Sequence, residues 1–211
     1  SLENRARLLC EVIRAVRARV SPGFAVAVKI NSADFQRGGF DSADALATLK
    51  LLNELPVDLL ELSGGSYESP AMQGRTADGR TLAREAYFLE FASQLAREAR
   101  MPLMTTGGIR RRAVAEQVIA QGVGIAGMAT ALTIVPDLPS RWRAGEDTEA
   151  NLPPVNWSDK TLSALATMSV IKRQLRRLGA RRNSKPDASP LLSLILDRLR
   201  VKRLTRRYRQ W

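Results

Sequence analysis

The sequence predicts an α/β fold, a parallel sheet covered by helices, and three observations carry the prediction. Short, almost wholly apolar stretches alternate with amphipathic helical stretches through the first two thirds of the chain. The alternation recurs at roughly 30–40 residues, the spacing of strand–helix units in doubly wound sheets and in (β/α)8 barrels. Glycine pairs follow the apolar stretches, at Gly38-Gly39, Gly64-Gly65 and Gly107-Gly108. The residues alone leave both architectures open. Four such units would be half of a barrel, and no internal repeat supplies the other half.

Taken in order, Leu2 to Val20 reads as a helix, with Leu8, Leu9, Val12, Ile13, Val16 and Val20 at helical spacing and arginines between them. Ser21-Pro22-Gly23 breaks it. Ala25 to Asn31, AVAVKIN, is an apolar strand interrupted by Lys29. A lysine inside such a strand needs either a route to water or a partner, because an unpaired buried ammonium is costly. Glu61, in the next strand, is a candidate partner. After a polar loop, Ser42 caps the next helix, whose apolar side carries Leu46, Leu49, Leu51 and Leu52. Val57 to Leu62 forms the second strand, followed by a long loop to about Thr81. Arg84 to Arg100 is a helix, Met101 to Thr105 the third strand, Ile109 to Gln121 a helix and Val123 to Met128 the fourth strand. A short helix is expected at Ala129–Val135, then a loop-rich segment from Pro136 to Pro154. Two further helices, Ser158–Leu178 and Ser189–Arg207, close the chain around a basic linker.

The stretch MPLMTTGGIRRR organises the chain. A strand there turns at Thr106, Gly107 and Gly108 into a helix expected to begin near Ile109. Glycines at such a junction let the backbone approach a ligand, and the helix points free N–H groups and its positive dipole end at the turn. This arrangement seats a phosphate. It is equally what an ordinary turn looks like when it needs glycine for conformation alone.

The chain has 211 residues and 45% hydrophobic content, enough for a real core. A single cysteine excludes an internal disulfide framework, and Cys10 in its apolar helix reads as a buried thiol. No apolar run reaches membrane-spanning length and no leader pattern precedes the first helix, so a cytoplasmic protein is expected. The first residue is Ser1 rather than methionine, which points to an excised piece of something longer. The net charge of +12 is uneven: residues 172–211 hold 14 Lys and Arg against 2 acids, and the remaining charges cancel. The basic excess therefore says nothing about the body of the protein.

Several segments, in this order, resemble the old yellow enzyme family: Ser1-Leu2-Glu3-Asn4-Arg5, Lys29-Ile30-Asn31-Ser32, Gly38-Gly39-Phe40, VDLLELSGGSYE and PLMTTGG. These are FMN-dependent NADH:flavin oxidoreductases and ene-reductases built on a (β/α)8 barrel. The resemblance runs from Ser1 to about Glu146 and corresponds to strands five to eight. It implies an α/β fold that is the C-terminal half of a TIM (β/α)8 barrel plus a C-terminal helical extension, with the half-barrel at residues 1–150 and the basic extension at 151–211. It implies FMN as cofactor, NAD(P)H as reductant and a small-molecule electron acceptor.

Residue by residue, Lys29 matches the basic residue the family keeps near the flavin N1–C2 edge, where a fixed cation favours the reduced, anionic form. Gly107 and Gly108 match the phosphate turn after strand seven. Ala129 and Thr130 stand where the family usually shows a Gly-Arg or Ala-Arg pair, so a hydroxyl replaces a guanidinium. Arg110, Arg111 and Arg112 either compensate or lie solvated in the first helical turn. Tyr67 and Met72, after strand six, either line the substrate side or pack on neighbouring loops, and no residue is assigned as catalytic. The family's substrate-anchoring histidines precede this segment, and the chain has 0 histidines. One cysteine cannot hold an iron–sulfur cluster, and no metal site is expected. The chain alone is expected to be inactive and to need the missing half-barrel or self-association.

The last stretch, SPLLSLILDRLRVKRLTRRYRQW, is apolar and strongly basic. It fits a helix docked on the body, a helix on an anionic membrane surface, or, as the least favoured partner, nucleic acid. This leaves an alternative function class: a non-catalytic interaction piece whose tail does the binding.

Overall fold

The computed structural model describes residues 1–34, 38–64, 85–86 and 88–210. The chain packs as two compact units, Ser1–Met128 and Ala129–Trp211. That division reflects packing, whereas the boundary expected at residue 150 reflects the reach of a sequence resemblance.

The first unit contains, among the described residues, α1 (Leu2–Arg17), β1 (Ala27–Asn31), α2 (Ser42–Leu52), β2 (Leu59–Ser63), α3 (Leu89–Ala96), β3 (Leu103–Thr105), α4 (Arg112–Ala120) and β4 (Ile125–Ala126). The four strands form one sheet in the order β1-β2-β3-β4, every pair parallel. Parallel neighbours require a crossover, and a helical stretch follows each of the first three strands to supply it. One row of the register is Val28, Leu60 and Leu103; the next is Lys29, Glu61, Met104 and Ile125.

Because side chains alternate along a strand, these rows face opposite ways. Val28, Leu60, Leu62 and Leu103 are buried in a core with Ile13 of α1, Leu49 and Leu52 of α2, Leu89 and Leu95 of α3, and Val118 of α4. All four helices therefore serve one face of the sheet. On the other face Lys29 and Ile125 are exposed.

Each strand is shorter than its apolar run. Met101 and Val123 are buried yet lie before the paired residues. Burial, not pairing, is what selects apolar residues there. Helix α1 stops at Arg17, whose guanidinium donates to the carbonyls of Pro56 and Phe24 at 2.8 Å each and pairs with Asp58. Asp58 also accepts from the Val26 N–H at 2.7 Å. That backbone bond, then Arg17, holds the Asp58 carboxyl below the usual carboxylate value. The cap of α2 is Asp41, not Ser42: Asp41 has extended backbone and accepts from the Asp44 N–H at 2.9 Å. Either residue type can cap, and the backbone conformation decides. Of the apolar positions of α1, Ile13 is buried while Leu8, Val12 and Val16 form an exposed stripe. Cys10 is half-buried.

The second unit holds α5 (Thr130–Ile134), α6 (Leu138–Arg143), α7 (Lys160–Gly179) and α8 (Pro190–Tyr208). Helix α6 falls in a segment expected to be loop. Pro139 reads as a breaker, but in the first turn its missing N–H removes no helical bond. The Trp142 indole N–H then ties the helix to the Thr148 carbonyl at 2.8 Å. Asp159 caps α7, accepting from Thr161 and Leu162 N–H at 2.8 and 3.0 Å. Between the last two helices, the fully buried Gln174 amide accepts from the Lys185 N–H at 2.6 Å and donates to the Lys185 carbonyl at 3.0 Å. That clamp fixes the basic linker.

Candidate functional site

The strands of the first unit all end on the same side, as parallel strands must. In open and closed α/β sheets alike, ligands bind outside the carboxyl ends of the strands. Here that rim is built from small and hydroxyl-bearing residues. Ser32, Ser63 and Thr105 are buried, and the Ser32 N–H donates to the Ser63 carbonyl at 2.6 Å. Gly64 and Gly127 follow β2 and β4. A Cβ on Gly64 would stand 2.5 Å from the Phe88 ring, and one on Gly127 would stand 2.6 Å from the Thr106 methyl and 3.2 Å from the Thr105 carbonyl oxygen. At both positions a side chain would force its neighbours to shift. The Gly127 N–H also donates to that Thr105 oxygen at 2.8 Å.

Thr106 leads directly into the Gly107-Gly108 turn. Both glycines have positive φ, 125° and 72°, which L side chains rarely adopt. The turn expected from the sequence is present, but the helix behind it begins three residues later than expected, at Arg112 with Arg111 as its cap residue. Arg111 cannot cap its own helix, and the anion comes from elsewhere. The Glu85 carboxylate accepts from the Arg110 and Arg111 backbone N–H groups at 3.0 and 3.2 Å. It also receives the Arg111 Nε at 2.7 Å and the Arg110 Nε at 3.2 Å. Its side chain is 4% exposed.

The helix terminus is thus satisfied by an internal carboxylate, which is favourable against the dipole. The arginine run accordingly splits. Arg110 and Arg111 hold Glu85, while Arg112 pairs with Glu116 one turn on at 2.7 Å. Glu85 was not legible beforehand, because it is 25 residues from Arg110 with no local pattern linking the two.

Lys29 and Glu61 are register partners on adjacent strands, and their side chains form an ion pair at 2.5 Å. The pairing named from sequence is therefore present. It is no buried bridge: the Lys29 side chain is 49% exposed and Glu61 20%. Lys29 solves its burial problem by facing away from the core, so the ammonium stands on the face opposite the helices.

Ala129 and Thr130 open the second unit: Ala129 precedes α5 without a side-chain cap bond, and the Thr130 carbonyl accepts from the Thr133 hydroxyl at 2.8 Å. Tyr67 and Met72 lie outside the described residues.

Comparison with known proteins decides the family. The model of the NADH:flavin oxidoreductase / NADH oxidase family matches residues 1–149. The chain belongs to this family. The family is named for its flavin and for NADH. The chain is similar to the NADH-dependent flavin oxidoreductase iliE of Neonectria sp. (strain DH2), 34% identical over 173 residues, covering 78% of this chain and 22% of that protein. It is similar to an NADH oxidase of Thermoanaerobacter brockii, 25% identical over 150 residues, covering 71% of this chain and 22% of the oxidase. Among solved structures, histamine dehydrogenase from Rhizobium sp. 4-9 shares the fold at a TM-score of 0.59 and 21% identity, over 69% of this chain and 20% of that one. The chain thus spans about a fifth of the length of these relatives.

Proposed function

We propose that this chain carries the cofactor-holding part of an FMN-dependent NAD(P)H oxidoreductase of the old yellow enzyme, ene-reductase type, its four strands being strands five to eight of a (β/α)8 barrel. The observation that carries the reading is Lys29: a half-exposed ammonium on the sheet face that the helices leave open, in a sheet whose carboxyl rim ends in the Gly107-Gly108 turn.

The topology supports a barrel. Among the described residues, strand order follows chain order with no reversal and the helices of this unit serve one face, whereas a doubly wound sheet needs a switch point and helices on both. The outer edges of β1 and β4 are unpaired among the described residues, and a barrel requires more strands to pair with them. The exposed Leu8, Val12 and Val16 stripe of α1 offers a seat for a neighbouring outer helix.

The residues fit the cofactor in chemical type. FMN, when bound, supplies the hydride chemistry. Lys29 supplies a fixed positive charge suited to the anionic edge of a reduced flavin, and Glu61 orients that ammonium while reducing its net field. Glu85 already occupies the Arg110 and Arg111 amides, so the phosphate role falls to the backbone of Gly107, Gly108 and Ile109. Ala129 and Thr130 keep the phosphate role implied by resemblance, with Thr130 offering a neutral hydroxyl.

The test is co-elution of flavin absorbance with the 211-residue chain, followed by NADH consumption. Weak FMN retention that falls further in Gly108→Val and Lys29→Met is expected, with no ene-reductase turnover by the chain alone. Retention unchanged by both substitutions would remove the assigned roles.

A further inference from the structure

Helix α8 packs inside out. The residues it buries against α7 are Ser193, 0% exposed, and Asp197, 7% exposed. Asp197 accepts from Lys172 at 3.1 Å and Arg176 at 2.8 Å, and Ser193 accepts from Arg173 at 3.3 Å. Leu194 is half-buried, and Val201 and Leu204 continue the side of Ser193 and Asp197, but a separate apolar set points away. Leu192, Ile195, Leu196 and Leu199 stand at positions i, i+3, i+4 and i+7, one continuous stripe, and are 42–60% exposed, with Leu191 beside them. The same spacing continues the stripe through Lys202, Arg203 and Arg206. Arg198, Arg200, Arg207 and Arg209 border it, and no acid follows Asp197. One face of one helix therefore runs from two apolar turns into two cationic turns.

We propose that this outer face of α8 docks on an anionic lipid surface, the apolar turns entering the headgroup–acyl boundary and the cationic turns meeting lipid phosphates. Both halves of the stripe are then used. A nucleic acid would engage the arginines and leave the leucines in water. A second copy could cover the leucines but would bring no counter-charge to the basic turns. None of the described helices is long and apolar enough to cross a membrane, so the contact is interfacial. The inference does not depend on the oxidoreductase reading.

Flotation of the 211-residue chain with vesicles tests it, using phosphatidylcholine alone and phosphatidylcholine mixed with phosphatidylglycerol. Binding to the anionic vesicles is expected to be at least about tenfold tighter, and to weaken in high salt. Leu192→Glu with Leu199→Glu should abolish it. Arg203→Glu with Arg206→Glu should weaken it about tenfold, while Arg203→Lys with Arg206→Lys should retain it. Far-ultraviolet circular dichroism of each variant confirms that the helices persist. The proposal would be overturned by no preference for anionic vesicles, by the glutamate variants binding like the parent, or by a leucine-dependent dimer that forms without lipid and blocks flotation. Tighter binding to an oligonucleotide, unaffected by the leucine substitutions, would overturn it equally.

Discussion

The sheet unit and the C-terminal hairpin bury polar and apolar residues in different proportions. In Ser1–Met128 most buried residues are apolar, and the ion pairs range from Lys29–Glu61, whose cation is half exposed, to the enclosed Glu85 carboxylate held by Arg110 and Arg111. In the hairpin of α7 and α8, Ser169, Gln174, Ser193 and Asp197 are buried beside Ala166, Val170 and Ala188, and leucines occupy the surface. The difference shows two ways of meeting the cost of burying polar groups. A sheet that packs one face under helices can carry charge on the other, where Lys29 and Glu61 stand in a row with Met104 and Ile125. A hairpin held by directional polar contacts gains register from them, and its apolar surface remains available to a partner.

Four substitutions probe the contrast, from largest effect to smallest. Leu60 is fully buried, and Leu60→Ala should cost about 3 kcal/mol by the cavity it leaves, read from urea unfolding monitored by circular dichroism. A loss near zero would mean that the sheet unit does not rest on this core.

Glu85→Gln replaces a carboxylate that accepts from two backbone and two side-chain donors. A loss of about 2 kcal/mol is expected, with faster amide exchange at Arg110 and Arg111. Unchanged exchange at those amides would show that Glu85 does not cap α4.

Asp197→Asn should cost about 1 kcal/mol in the hairpin. Burial pushes the Asp197 carboxyl up, but the hydrogen bonds and charges of Arg176 and Lys172 outweigh it and hold the group below its usual value. A carboxyl lowered in the folded state contributes stability above its unfolded value, and that contribution disappears as pH falls through the lowered one. The hairpin should therefore weaken below about pH 4, and the asparagine variant should lose that dependence, as followed by acid titration of helicity.

Leu199→Ala, by contrast, should change stability by less than about 0.5 kcal/mol, because its side chain is already in water. A loss as large as that of Leu60→Ala would end the contrast between the two regions.

The alternation of apolar runs and amphipathic helices sufficed for the parallel sheet, because each strand buried under helices must be apolar and each crossover must be amphipathic. The series from Ser1-Leu2-Glu3-Asn4-Arg5 to PLMTTGG sufficed for the family. Lys29 and the Gly107-Gly108 turn were legible too, since a lone cation in an apolar strand and paired glycines at a strand end break a local pattern. Tertiary structure alone decided that Lys29 faces away from the core, because one residue of register reverses the direction of every side chain. It alone brought Glu85 to the N-terminus of α4, a contact made through space between segments with no shared periodicity. It also turned the leucines of α8 outward. An amphipathic pattern states that a helix has two faces, and the neighbours it meets determine which of them is buried.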